Sequence, residues 1–135
     1  MDMKTRENIS YGQPLEAKLG FSRARRVGNI LALTGAAPIA PDGGVHAPGD
    51  MYAQTVRSLE IIQDVLARAG AKLEDVVRTR ILVTDITRWE EAARAHGEVF
   101  GAVRPACTFF QVSRFINPEW LVEIEADAVL GLDKD

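Results

Sequence analysis

The stretch that most constrains this chain is Leu121-Val122-Glu123-Ile124-Glu125-Ala126-Asp127-Ala128-Val129-Leu130. Acidic and apolar residues alternate there, and in an extended chain successive side chains leave on opposite sides. One face therefore carries Val122, Ile124, Ala126, Ala128 and Leu130, and the other carries Glu123, Glu125 and Asp127. Three carboxylates at period two cannot lie in a dry core without partners. The acidic face must meet water, a ligand or cationic residues, and that choice decides what the protein can do.

The rest of the sequence supplies the layers around this strand. Residues 1–20 have weak periodicity and read as an arm, and Met1 to Ser10 is polar and mixed in charge, unlike a signal peptide. Ser22 to Val27 and Ile30 to Ala36 flank Gly28-Asn29, a two-residue hairpin turn. A Pro/Gly-rich loop follows, and Asp50 can then cap a helix running to Ala69, where Gly70 stops it. Val56, Leu59, Ile62, Leu66 and Ala69 make its apolar stripe, with Gln54, Arg57, Glu60, Gln63, Asp64 and Arg68 on the remainder. Val76 to Thr84 is a strand, a second helix spans Trp89 to Phe100, and Cys107 to Ser113 precedes the acidic strand.

This order, ββαβαββ over a single domain of 135 residues, is an α+β arrangement. Right-handed crossovers place both helices on one face of a mixed sheet. The other face stays uncovered, and a half-covered sheet of this size finds a partner, creating clefts between subunits.

Composition narrows the partners. With 16 basic and 19 acidic residues the formal net charge is -3 and no Lys/Arg run stands out, so the chain has no electrostatic case for nucleic acid or an anionic membrane. No apolar run approaches the roughly 20 residues of a membrane helix. Cys107 is the single cysteine, so no intrachain disulfide forms and a cytoplasmic location is expected. A small-molecule metabolite is the expected partner. No cofactor is implied, and no His/Cys/Asp cluster has metal-ligand spacing.

Several residues can carry chemistry. Arg78 and Arg80, at period two, can face Glu123, Glu125 or Asp127 as cross-strand ion pairs, which accounts best for Glu125 and Asp127. A carboxylate left over from such pairing is a natural group for activating water, and Glu123 is the choice. Cys107 can be a nucleophile only with a nearby base, and the chain offers only His46 and His96; a buried, inert thiol is the commoner state of a lone cysteine. Thr34-Gly35-Ala36 reads equally as a strand end or as a close backbone approach to a ligand. Phe109, Phe110, Phe115 and Trp120 can line a pocket or fill the core.

The chain resembles the YjgF/RidA family of reactive-intermediate deaminases from about Phe21 to Leu130. The likeness rests on Val27-Gly28-Asn29, Thr34-Gly35, Asp75-Val76-Val77-Arg78-Thr79, Val83-Thr84-Asp85, Arg104-Pro105-Ala106 and Val122-Glu123-Ile124-Glu125-Ala126. It implies a chorismate-mutase-like fold assembled as a homotrimer with ligand clefts between subunits. It also implies that Glu123 matches a water-holding glutamate, Gly35 a pocket glycine, and Phe21 a position usually held by tyrosine. The arginine that grips a substrate carboxylate in active members falls at residue 107, here cysteine. The asparagine frequent in the second helix falls near Ala93.

The expected activity is hydrolytic deamination of an enamine or imine that is not a standard 2-imino acid. Glu123 would hold water, backbone groups near Gly35 and Cys107 would hold substrate, and Arg114 is a further candidate contact. The alternative is a non-catalytic ligand-binding or chaperone-like trimer. A ribonuclease role, sometimes ascribed to the family, finds no basic patch and ranks third.

Overall fold

The structure, a computed structural model, describes residues 5–132. Residues 1–4 of the expected arm and signal-peptide reading, and residues 133–135 of the expected domain, lie outside them. In chain order the elements are β1 (Arg6–Ile9), α1 (Pro14–Leu19), β2 (Ala24–Val27), β3 (Ile30–Ala36), α2 (Met51–Arg68), β4 (Val76–Val83), α3 (Trp89–Phe100), β5 (Ala106–Gln111) and β6 (Val122–Val129), with short 3-10 turns at Leu73–Asp75 and Ile86–Arg88. The six strands form one sheet in the order β1-β2-β3-β6-β4-β5. The acidic strand β6 thus lies inside the sheet, antiparallel to both β3 and β4, while β4 and β5 run parallel.

Alternation is realised along β6. Val122, Ile124, Ala126, Ala128 and Leu130 are buried, and Glu123, Glu125 and Asp127 are only partly covered. The inward residues register with inward residues on both neighbours, Leu31 with Ala128 and Leu33 with Ala126 on one side, Ile81 with Ile124 and Val83 with Val122 on the other. Helix α2 packs on this apolar surface through Leu59, Ile62, Val65 and Leu66, and α3 adds Ala92, Ala95 and Phe100. On the outer face Arg80 bridges Asp127 at 3.0 Å and Glu125 at 3.7 Å. The register slips between Val76 and Arg78, and Arg78 joins no ion pair among the described residues.

Capping follows the chemistry of the termini. The Asp50 carboxylate accepts the Ala53 N–H at 3.0 Å, satisfying a donor that the first turn of α2 leaves free, and Gly70 takes a φ of 75° just beyond the helix. Asp50→Ala is expected to cost about 0.5–2 kcal/mol in urea unfolding.

Two sequence expectations need correction. Residues 6–19 are not a plain arm: Arg6–Ile9 adds an edge strand to β2, and Pro14–Leu19 forms a short helix closed by Gly20 at a φ of 80°. The strand is held by pairing with β2, and the helix by one distant bond together with local caps. The Tyr11 hydroxyl donates to Asp64 on α2 at 2.8 Å, and the buried Glu16 carboxylate accepts the Tyr11 and Gln13 N–H groups. Gln54, expected on the polar side of α2, is instead fully buried. Its amide accepts from the Leu121 N–H at 2.8 Å and donates to the Glu119 carbonyl at 3.1 Å, so a satisfied polar group ties α2 to the start of β6.

Candidate functional site

A cavity of about 690 Å³ opens where α1, the end of β3, the following loop, α2 and the start of β6 meet. Glu123, Gly35 and Phe21 all line it. Glu123 reaches it from the outer face of β6, two residues beyond the Gln54 tie. Gly35 is placed by an irregularity in the β3–β6 register between Leu33 and Ala36. A Cβ at Gly35 would sit 3.5 Å from Glu123 Cδ, so a longer side chain there would fill the space before the carboxylate. Glycine keeps that approach open.

The Glu123 carboxylate has no hydrogen-bond or ion-pair partner among the described residues, unlike Glu125 and Asp127 with their shared Arg80. Burial pushes its pKa above the usual carboxylate range; Arg23 opposes the shift and Glu125 reinforces it. An unpaired carboxyl with a raised pKa in a cavity is a stronger base than an ordinary carboxylate, and it can position water and accept its proton.

The other candidates lie elsewhere. Cys107 registers with Thr79, whose side chain is buried toward the helices, and Cys107 packs against the core on that same side. Within one chain it is therefore on the opposite face of the sheet from Glu123. Burial pushes its thiol pKa up, partly offset by a hydrogen bond with Thr79, which disfavours the thiolate a nucleophile needs. His96 meets the Thr79 hydroxyl at 2.9 Å and packs on Phe100, and burial lowers its pKa. Arg114 is exposed in the β5–β6 loop and does not line the cavity, although Ile116 and Trp120 of the same loop do. Phe109 packs against the core, and Phe110 is exposed on the outer side.

Sequence reasoning missed Arg23, which lines the cavity and acts on Glu123 through its charge. A signal existed: Arg23 lies two residues beyond Phe21, so in extended chain both leave on one side. Without the cavity around it, nothing in the sequence sets Arg23 apart from the neighbouring Arg25 and Arg26.

A mixed sheet with its major helices on one side and an unpaired glutamate in a strand-end cavity defines a small α+β protein of the YjgF/UK114 fold. The family model described as Endoribonuclease L-PSP matches residues 12–130, and the chain belongs to that family, the YjgF/RidA family. A RutC family protein of Pyrococcus abyssi is 36% identical over 108 residues, covering 80% of this chain and 84% of that protein. The crystal structure of Rv2704 of Mycobacterium tuberculosis, a YjgF/YER057c/UK114 family member, is 42% identical, with a TM-score of 0.82 over 93% of this chain and 100% of that one. The YjgF gene product of E. coli is 26% identical, with a TM-score of 0.75 over 96% and 98% of the two chains.

Proposed function

We propose that this protein is a hydrolytic deaminase of small enamines or imines, one RidA-like domain acting as a cytoplasmic homotrimer. The observation that carries the reading is the Glu123 carboxylate, unpaired and with a raised pKa, beside the Gly35 backbone. Held by Glu123, a water adds its oxygen to the C=N carbon while the carboxylate accepts its proton. The carboxylate returns that proton to nitrogen, giving a carbinolamine; the hydroxyl proton then passes through the same carboxylate to nitrogen, C=O forms as the C–N bond breaks, and ammonia leaves a ketone or keto acid. No oxidant or reductant is needed.

The trimer is supported by the outer face of the sheet, where Ile30, Val77 and Phe110 are exposed. Cys107 faces away from Glu123 in its own chain, so in this reading its backbone enters the cleft from the edge strand of a neighbouring copy. A non-catalytic binder is the second reading, favoured by the absence of arginine at residue 107. The endoribonuclease description carried by the family has weaker support here, because a net charge of -3 gives no attraction for phosphates.

The test is hydrolysis of imines generated in place from amino acids by an amino-acid oxidase, read as ammonia release above the buffer rate. Hydrolysis requires ionised Glu123, so the rate should rise with pH along a limb displaced above the ordinary carboxylate pKa of about 4.3. No acceleration for any imine leaves the binder reading.

A further inference from the structure

The cavity holds one cationic side chain that nothing in the fold fully uses. Arg23 precedes β2, and Nη2 donates to the Gly35 carbonyl at 3.3 Å. Its Nε–H is buried with no acceptor, and it forms no ion pair among the described residues. Tyr11 adds only a distant ring contact, its centroid 5.8 Å from the guanidinium carbon. A buried guanidinium N–H without an acceptor is costly, and native proteins rarely leave one so. Guanidinium presents a planar fork of donors matched to a carboxylate. Glu123 lines the same cavity and feels the charge of Arg23, yet the two form no ion pair.

We infer that Arg23 anchors the carboxylate of the ligand in the Glu123 cavity, and that the ligand carries an apolar side chain. The second part follows from the remaining wall, where Leu15, Leu19, Phe21, Ile61, Ile116 and Trp120 supply apolar surface. The ligand's carboxylate would accept from the Arg23 fork, its apolar chain would lie on these residues, and its imine carbon would face the water held by Glu123. The inference rests on the proposed site but not on its hydrolytic activity. It returns to the ligand a carboxylate that cysteine at residue 107 argues against.

The probe is 4-methyl-2-oxopentanoate, compared with its neutral amide, 4-methyl-2-oxopentanamide, in calorimetric titrations of the full-length chain. Native protein is expected to bind the carboxylate more tightly than the amide. Arg23→Met should weaken carboxylate binding about 10- to 150-fold and leave amide binding unchanged, a discrimination that general loosening of the fold would not remove selectively. Glu123→Gln should keep the carboxylate preference. If Arg23→Met does not fold, the native Arg23 Nε–H resonance serves instead: it should shift with the carboxylate and stay put with the amide. Carboxylate binding that depends on Arg23 without any imine hydrolysis upholds the anchor and removes the deaminase reading. Glu123-dependent hydrolysis unchanged in Arg23→Met, no carboxylate preference in native protein, or a silent Nε–H signal each overturns the anchor.

Discussion

Glu123→Gln is expected to lower imine hydrolysis by about 10²- to 10⁴-fold, the contribution of a positioned general acid or base. Glutamine keeps the shape of the side chain and its hydrogen-bonding reach but cannot accept the proton that water loses. KM should change little, because the loss falls on the reacting step and not on binding. A mutant retaining native turnover would remove Glu123 from the mechanism. The same substitution carries a stability signature with a definite sign. Burial raises the folded-state pKa of Glu123, so its contribution to stability is fully present below the unfolded carboxyl pKa and is lost as pH rises through the elevated folded value. Glu123→Gln should remove that loss, making unfolding free energy flatter with pH across the window just above the normal carboxyl range.

Phe100→Ala is the largest expected stability change, about 3–5 kcal/mol, or a fall in Tm of roughly 10–20 °C for a chain of this size. Phe100 is 1% exposed at the end of α3, with its ring centroid 4.9 Å from that of His96. Its carbonyl accepts the Val103 and Arg104 N–H groups that turn the chain toward β5. Removing the ring leaves a cavity between α3 and the sheet that this turn holds fixed, so relaxation can recover little. Ile116→Ala, on a side chain 97% exposed, should stay within about 0.5 kcal/mol of the native protein. Chemical denaturation of both variants at one protein concentration decides the comparison.

Elements specified by local periodicity were legible in the sequence. The strand β6 declares its two faces by charge, α2 declares its start by Asp50 and its end by Gly70, and the partnership of Arg80 with Glu125 and Asp127 follows from period-two spacing on adjacent strands. Elements specified by distant contacts were not. Four residues of β1 and six of α1 are too short to announce themselves, and they are held by pairing with β2 and by the Tyr11–Asp64 bond across 53 positions. Val56, on the apolar stripe of α2, packs at the margin of the core and is only partly covered, because the buried side of the helix is centred on Met51, Thr55, Ser58 and Leu59. Glu123 and Gly35 were nameable from their spacing and their family positions, but their adjacency needed the register irregularity in β3. Arg23 could be valued only once the cavity around it existed.

The alternation of β6 also bears on how the chain finds its fold. This strand pairs on both sides, so its alignment fixes that of β3 and β4 together. A slip of one residue would turn Glu123, Glu125 and Asp127 toward α2 and push Val122, Ile124, Ala126 and Ala128 into water. Each displaced carboxylate would meet an apolar surface without a cation, so misaligned states are penalised several times over before the helices dock. The acids that make the outer face polar thus act as a proofreading device, discarding wrong alignments during the conformational search.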